Sequence, residues 1–342
     1  MKRYEQLSRL GKLQRLRGLA ENALAQYDLN VCRLALISTD TNLIYRVWTA
    51  DGGQSASQSA LRFALRVAQP GWRTLTDLES EAMWLAALAR DTDICVPVMK
   101  LGREGTAVVT TTSPGIPQPH YAILMRWLPG GLLGKRLTEA NIYKMGELFA
   151  KMHQHGASWQ PPEGFTTRKF DHFLSRGEPD VLFAEAQLSV YTPHSLSLFQ
   201  EIRAQVEAEY ARLDPADLRV IHCDLWHDNI KIYRGQLCPF DFEDTVWGYR
   251  LHDMAMALLD LMEVTMAEAY ERLLAAFKQG YMVHLDWPAG DMTVLQLVRL
   301  LWLNNYLVRH HREWWGETAV PFYTALFERY LASGELIRSL RA

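Results

Sequence analysis

The sequence predicts an α+β protein in which a small strand-rich part precedes a larger, mostly helical part. Short apolar runs between turn residues fill the first third of the chain, and helical periodicity prevails from about residue 140 onward. The 342 residues exceed the length, about 250–300 residues, at which a single core stops growing. The segment 128–131, LPGG, is typical of a linker. We therefore expect an N-lobe of residues 1–125, a hinge at 126–131 and a C-lobe of residues 132–342.

The N-lobe elements follow from the periodicity of the apolar residues. Leucine recurs every third residue from Leu7 to Leu19, which indicates an amphipathic helix packed on the protein. A second helix is predicted at 75–88, and a turn at 51–53. Strands are predicted at 42–48, 61–67, 108–112 and 121–127.

The C-lobe is predicted to be helical around a small number of short strands. Residues 219–221 read as a strand, and residues 230–233 and 236–240 read as a hairpin that turns at Arg234-Gly235. Helices are predicted at 140–153, 196–213, 253–262, 267–279, 292–308 and 321–340.

Composition narrows the class of protein. Lys and Arg number 36 against 39 Asp and Glu, and this net charge of −3 argues against a nucleic-acid partner. Four cysteines without a C-x-x-C pair suit a reducing compartment. The chain lacks both a secretory signal and an apolar stretch of 18 residues, so we expect a cytoplasmic protein without a membrane partner. The oligomeric state stays open.

One constellation of polar residues carries chemistry. The segment 220–231, VIHCDLWHDNIK, contains His222, Asp224 and Asn229, and Asp241 follows the predicted hairpin. Because the two ends of a hairpin lie close together, we expect Asn229 and Asp241 to meet at one point. Two oxygen ligands there suit Mg²⁺, and Asp224 precedes them as a group for an incoming hydroxyl. This arrangement is typical of phosphoryl transfer.

The spacing H-x-D-x4-N followed by D-F matches the catalytic loop and metal-binding Asp of kinases. Residues 222–229 and 241–244, with GYRLHDMA at 248–255, resemble the signature of the aminoglycoside phosphotransferase and choline kinase superfamily. The resemblance extends to about residue 262. It implies a bilobal protein-kinase-like fold, with a small antiparallel sheet in the N-lobe and a mostly helical C-lobe. It also implies an ATP-dependent phosphotransferase that uses Mg²⁺.

The same resemblance implies roles for the C-lobe motif and for the metal site. Asp224 would orient and deprotonate the acceptor hydroxyl, and His222 would brace the loop. Asn229 and Asp241 would bind Mg²⁺, while Asp253 would hold the loop from the following helix.

In the N-lobe, Arg66 stands where kinases place their phosphate-binding lysine, and its planar fork can still clamp phosphate. The resemblance implies Glu81 as its ion-pair partner, with Glu79 as the alternative.

The resemblance extends to the nucleotide itself. The backbone of Arg126 and Leu128 would meet the adenine edge, with Met125 behind it. Residues 38–42, which end at Asn42, occupy the position of the phosphate loop.

The resemblance favours a kinase that uses a small-molecule hydroxyl acceptor of the amino alcohol, homoserine, choline or aminoglycoside type. The short stretch between Asp241 and Asp253 leaves little room for the activation segment of a protein kinase. An atypical protein Ser/Thr kinase and a nucleotide-binding regulator without turnover are the alternatives.

Several residues of the second lobe have two interpretations. His227 and Asp228 either face substrate or are exposed to solvent. Trp302, Trp314 and Trp315 either form an aromatic box for a cation or pack in the core, and packing is favoured.

Overall fold

The structure is a computed structural model that describes residues 4–39, 41–50, 61–174 and 177–336. The predicted turn at 51–53, Asp40 of the predicted phosphate loop and the last residues of the final predicted helix lie outside these ranges. None of the described helices is long and apolar enough to cross a bilayer.

The described residues form an antiparallel sheet near the N-terminus and a mostly helical remainder, which confirms the predicted α+β class. The helices are α1 (Arg9–Leu24), α2 (Leu75–Asp91), α3 (Glu139–Ser158), α4 (Glu185–Leu188), α5 (Pro193–Arg212), α6 (Arg250–Val264), α7 (Ala267–Tyr281), α8 (Met292–His310), α9 (Arg312–Trp314) and α10 (Val320–Ser333). The strands are β1 (Val31–Ser38), β2 (Asn42–Thr49), β3 (Arg62–Ala68), β4 (Val108–Thr111), β5 (His120–Arg126), β6 (Gly131–Leu132), β7 (Lys169–Phe170), β8 (Arg219–Ile221), β9 (Ile230–Tyr233), β10 (Gln236–Pro239) and β11 (Val246–Gly248).

The chain divides into two compact units. The first comprises Met1–Gly130, Gln160–Thr167 and Cys238–Glu243. The second comprises Gly131–Trp159, Arg168–Leu237 and Asp244–Ala342. Asp241 therefore belongs to the first unit, whereas Asp224 and Asn229 belong to the second.

The first unit is built on a five-stranded antiparallel sheet in the order β1-β2-β3-β5-β4. Its core joins Leu19 of α1 with Tyr45, Leu65 and Leu124 of the sheet. Strand β1 was not predicted, and the structure shows why. Only Leu34 among its eight residues is fully buried, so the strand carries little of the alternation that marks a half-buried strand.

Helix α2 begins at a capping box, in which Thr74 and Asp77 each accept a hydrogen bond from the other's backbone N–H. Its buried face includes Leu78, Glu81 and Leu85, which recur at helical spacing. The helix thereby directs the carboxylate of Glu81 into the interior of the first unit.

In the second unit, helices α3 and α7 cross at very short range. A Cβ atom built on Gly280 would come within 1.9 Å of the Tyr143 carbonyl oxygen, and one on Gly146 within 2.1 Å of the Phe277 oxygen. Gly156 brings the end of α3 equally close to the backbone of Val220 in β8. The strand that precedes the loop of residues 222–229 therefore packs directly on α3.

The bounds of the last helices differ slightly from the prediction. Helix α6 begins at Arg250, before the predicted start at residue 253. Helix α10 ends at Ser333 because Gly334 adopts a left-handed φ of 71°, a conformation that ends helices.

Candidate active site

The loop after β8 presents Asp224 through an uncommon backbone turn. His222 is fully buried, and Cys223 has a φ of 67°, in the left-handed region that side chains other than glycine rarely adopt. The Cys223 N–H donates to Oδ1 of Asp253 at 2.7 Å, which holds the turn in place. The turn leaves the Asp224 side chain 29% exposed directly beside a buried strand.

His222 and Asn229 both bind Asp224. The backbone N–H of Asp224 donates to Nδ1 of His222 at 3.3 Å. Nδ2 of Asn229 donates to the backbone carbonyl of Asp224 at 2.8 Å and to its carboxylate Oδ2 at 3.0 Å. The three motif residues of the second unit thus form one hydrogen-bonded group.

A buried chain of polar groups extends from this loop into α3. Oδ2 of Asp253 lies 3.0 Å from Nε2 of His153, and Nδ1 of His153 lies 3.0 Å from the Tyr281 hydroxyl. Burial lowers the pKa of His153 below its ordinary value, so the ring is neutral near pH 7. A neutral ring donates to Asp253 and accepts from Tyr281. The sequence pattern did not distinguish His153 from an ordinary core or surface histidine.

A cation also lies beside the Asp224 carboxylate. Nη1 of Arg299 in α8 is 3.9 Å from Oδ1 of Asp224 and donates to Oδ2 of Asp260 in α6 at 2.8 Å. Sequence reasoning missed both residues because they lie on different helices and form no local motif. One signal was available, since Asp260 is a carboxylate within the otherwise apolar run of α6.

In the first unit, Arg66 of β3 is 2% exposed and forms an ion pair with Glu81 of α2. Its Nη1 atom is 3.4 Å from Oδ1 of Asp241 and 3.8 Å from Oε2 of Glu243. Burial opposes the charge of Arg66, but the three carboxylates raise the pKa of its guanidinium above the ordinary value. The alternative partner, Glu79, is exposed on α2.

Glu243 is the residue of this cluster to which sequence reasoning gave no role. Its Oε2 accepts from Nδ2 of Asn42 at 2.6 Å, and its Oε1 accepts from the indole N–H of Trp72 at 3.2 Å. Asn42 is buried, so its amide is engaged with Glu243 rather than open to solvent. A carboxylate two residues after Asp241 was the only signal in the sequence.

The three residues expected at the adenine edge lie at and after the end of β5. Met125 and Arg126 are its last residues, and the Arg126 N–H donates to the Val98 carbonyl at 2.8 Å. Because that N–H already has a partner, the carbonyl of Arg126 is the backbone group that could contact the adenine edge. Leu128 is half-buried beyond the strand.

The donor set fits a hard divalent cation and a phosphate. Asp241 has a φ of 67°, and its carboxylate is 41% exposed. In the part of the chain that the structure describes, Nε of Arg66 and Oε1 of Glu81 are buried without a hydrogen-bond partner. No group of three or more His, Cys, Asp or Glu side chains among the described residues is arranged to hold a metal ion. Mg²⁺ is compatible with this, since it is usually held by one or two carboxylates plus phosphates.

The residues with two interpretations differ in burial and packing. His227 is 3% exposed, so solvent exposure was the wrong interpretation for it. A Cβ atom on Gly134 would come within 2.2 Å of Oδ1 of Asp228, which shows close packing of that carboxylate. Trp315 is buried and its indole donates to Asn304 at 3.0 Å, as the packing interpretation predicts. Trp314 is 53% exposed.

Trp302 has a polar partner of its own. Its indole N–H donates to Oε1 of Glu178 at 2.8 Å, and its ring stacks on Tyr306 with centroids 5.8 Å apart.

The sequence matches one family model and one curated protein. A family model described as the phosphotransferase enzyme family matches residues 36–291. An uncharacterized protein of Synechocystis sp. is 23% identical over 230 residues, which cover 64% of this chain and 59% of that protein. The chain thus spans less than two thirds of the length of this curated relative.

Solved structures share the fold. A microcompartment-associated aminopropanol kinase superposes with a TM-score of 0.74 at 23% identity, over 94% of this chain and 99% of that one. An amicoumacin kinase solved with AMP-PNP, Ca²⁺ and Ami superposes with a TM-score of 0.72 at 16% identity, over 96% and 97% of the two chains.

Proposed function

The chain belongs to the phosphotransferase enzyme family, and we propose that it transfers the γ-phosphate of ATP to a hydroxyl group of a small molecule. The match over residues 36–291 confirms the family that the motif predicted. The observation that carries the proposal is the carboxylate of Asp224, which is partly exposed and is held in place by Asn229.

In the proposed reaction, Asp224 accepts a hydrogen bond from the acceptor hydroxyl and takes its proton as the reaction proceeds. The hydroxyl oxygen forms a bond to the γ-phosphorus, and the bond from that phosphorus to the leaving oxygen of ADP breaks. Asn229 keeps the carboxylate pointed at the hydroxyl, because its amide binds both the carboxylate and the backbone of Asp224. His222 contributes by fixing the backbone beneath it.

The proposal assigns the anionic part of ATP to Arg66 and to the residues that would bind the metal. Arg66, kept charged and oriented by Glu81, binds phosphate oxygens. Asn229 and Asp241 hold Mg²⁺, which when bound neutralises phosphate charge. The amicoumacin kinase was solved with AMP-PNP and Ca²⁺, which supports a nucleotide and a divalent cation in this family.

For the remaining nucleotide contacts, we propose that the Arg126 carbonyl and the backbone of Leu128 bind the adenine edge, with Met125 behind it. Asn42 is proposed to act near the phosphates through Glu243, its hydrogen-bond partner. A structure with bound nucleotide tests these contacts.

A small-molecule acceptor is favoured over a protein. The two solved relatives are named as kinases of aminopropanol and of amicoumacin, which are small molecules. We therefore propose an acceptor of the amino alcohol, homoserine, choline or aminoglycoside class.

The test is ADP release from ATP with Mg²⁺, measured over a panel of alcohols, amino alcohols, hydroxy amino acids, sugars, aminoglycosides and candidate proteins. Release that depends on one small-molecule class supports the proposal. Release that depends only on a protein would favour the atypical protein kinase. Nucleotide binding without release in any mixture would favour a regulator.

Asp224→Asn tests the residue that carries the proposal. The variant should lower kcat about 10³-fold and leave ATP affinity within about twofold, because the carboxylate acts mainly in the transition state. Glu201→Gln, at an exposed position on α5, is the control, since it removes one negative charge outside the candidate site and should keep kcat near that of the wild type. Near-normal turnover of Asp224→Asn would overturn the mechanism.

A further inference from the structure

Arg299 occupies a position next to the proposed catalytic base that the reaction itself does not explain. Its Nη1 atom is 3.9 Å from Oδ1 of Asp224, and its side chain is 35% exposed. Phosphate and metal contacts are assigned to other residues, so this cation is available for a different ligand group. Its place beside Asp224 points to the acceptor rather than to the nucleotide.

Asp260 fixes the orientation of this guanidinium. Its carboxylate is 8% exposed and accepts from Nη1 of Arg299 at 2.8 Å. A buried carboxylate of this kind is costly unless it is paired, so the pair anchors the arginine to α6. Among the described residues, none accepts a hydrogen bond from Nε or Nη2 of Arg299. One edge of the planar fork therefore remains for a ligand.

We propose that Arg299 binds a carboxylate of the acceptor, so that the substrate is a small hydroxy acid or hydroxy amino acid. This inference rests on the proposed function, because it takes Asp224 as the group that receives the acceptor hydroxyl. A guanidinium fork matches a carboxylate in shape and charge.

The geometry also limits the size of the acceptor. A hydrogen bond spans about 2.8 Å and the nitrogens of a guanidinium lie about 2.3 Å apart, so a hydroxyl on Asp224 and a carboxylate on the open edge of Arg299 lie within about 12 Å of each other. Short hydroxy acids meet this limit, whereas an acid group at the far end of a long chain does not.

Pairs of acceptors that differ only in the carboxylate test the inference. We choose L-threonine with 1-aminopropan-2-ol, L-homoserine with 3-aminopropan-1-ol, and 4-hydroxybutyrate with propan-1-ol. The wild type should favour the acid in at least one pair by about tenfold or more in kcat/KM. Equal use of both members, or a preference for the decarboxylated one, in every pair would overturn the inference.

Variants identify the residue responsible. Arg299→Gln should reduce the preference for the acid by about tenfold to a hundredfold, as expected for loss of a charge-assisted contact. Arg299→Lys keeps the charge without the fork and should retain part of the preference. Arg309→Gln, an exposed arginine on the same helix, is the matched control and should leave it unchanged. An equal loss for both members of each pair would show that Arg299 only orients Asp224, against the inference.

Calorimetric titration of the same acids separates this inference from the proposed function. Binding that Arg299→Gln abolishes supports the inference even if no acceptor releases ADP, an outcome that would count against the kinase activity alone. Binding that is equal in the wild type and in Arg299→Gln overturns the inference whatever the turnover. A thermal melt of Arg299→Gln verifies that the variant is folded, and Arg299→Lys provides the same test if it is not.

Discussion

The side-chain amide of Asn229 donates to both the backbone carbonyl and the carboxylate Oδ2 of Asp224, at 2.8 and 3.0 Å. An amide group has only one nitrogen and one oxygen, so these bonds use the donor side of Asn229 and leave Oδ1 on the other side. One residue can therefore orient the proposed base and offer an oxygen to Mg²⁺. A carboxylate at this position could donate neither of the two hydrogen bonds.

Asn229→Asp changes only the donor side of this residue. We expect kcat to fall by about a hundredfold or more, since two hydrogen bonds to Asp224 are lost and two carboxylates then face each other. Steady-state kinetics over a range of Mg²⁺ concentrations measures the effect. Asn30→Asp, at an exposed position just before β1, is the control for the added charge. A normal kcat in Asn229→Asp would show that the amide is not needed.

Asp241→Asn tests the metal ligand with little backbone strain, because Asn tolerates the left-handed conformation that Asp241 adopts. We expect Mg²⁺ to raise the affinity of the wild type for ADP. In the variant, the factor by which Mg²⁺ raises this affinity should be at least about tenfold smaller. Calorimetric titration of ADP with and without Mg²⁺ measures both affinities. The affinity without Mg²⁺ serves as the control and should change little. If Mg²⁺ tightens ADP binding equally in both proteins, Asp241 does not hold the metal.

Asp253→Asn tests the support beneath the loop. Both carboxylate oxygens are used, one by the Cys223 N–H and one by His153. An amide nitrogen would face one of these donors, so we expect the free energy of unfolding to fall by about 2–3 kcal/mol. Urea denaturation measures the loss, and kcat should fall with it because the turn before Asp224 loosens. Tyr281→Phe removes only the hydroxyl that binds His153 and should lower the free energy of unfolding by less. An equal loss in the two variants would show that Asp253 supports the loop no more than Tyr281 does.

Asp260 predicts a pH dependence of stability. Burial raises its pKa from 3.8 to about 6, although the charge of Arg299 opposes the shift. The folded state therefore holds a proton that the unfolded state releases between about pH 4 and pH 6. The stability from this group is present below pH 4 and is lost as the pH rises through 6.

Asp260→Asn isolates that contribution. The free energy of unfolding of the wild type minus that of the variant should fall by about 2 kcal/mol from pH 4 to pH 7. Urea denaturation at several pH values measures the difference. The same substitution in an Arg299→Gln background should give a larger fall, since the opposing charge is gone. A flat or rising difference would contradict the raised pKa.

The sequence alone determined the family, the fold class and the local groups of the candidate site. His222, Asp224 and Asn229 lie within eight residues, so one loop conformation brings them together and their spacing reveals it. Glu81 was predicted from the family resemblance, and the side of α2 that Leu78 and Leu85 mark as buried carries it. Strand β1 escaped prediction because only one of its side chains, Leu34, is buried, which gives no alternation.

Contacts between distant elements were decided only by the tertiary structure. Arg299 pairs with Asp260 because helices α6 and α8 pack together, and its guanidinium then lies 3.9 Å from Asp224. Glu243 reaches Asn42 because the segment after β10 returns to β2. Neither pair has a fixed spacing in the chain. The sequence pattern of a helix does not show whether a single charged residue is exposed or is buried and paired. Local spacing encodes the loop of residues 222–229, since short-range geometry fixes it. The charge beside the loop, and with it the proposed acceptor, depends on packing that no local pattern records.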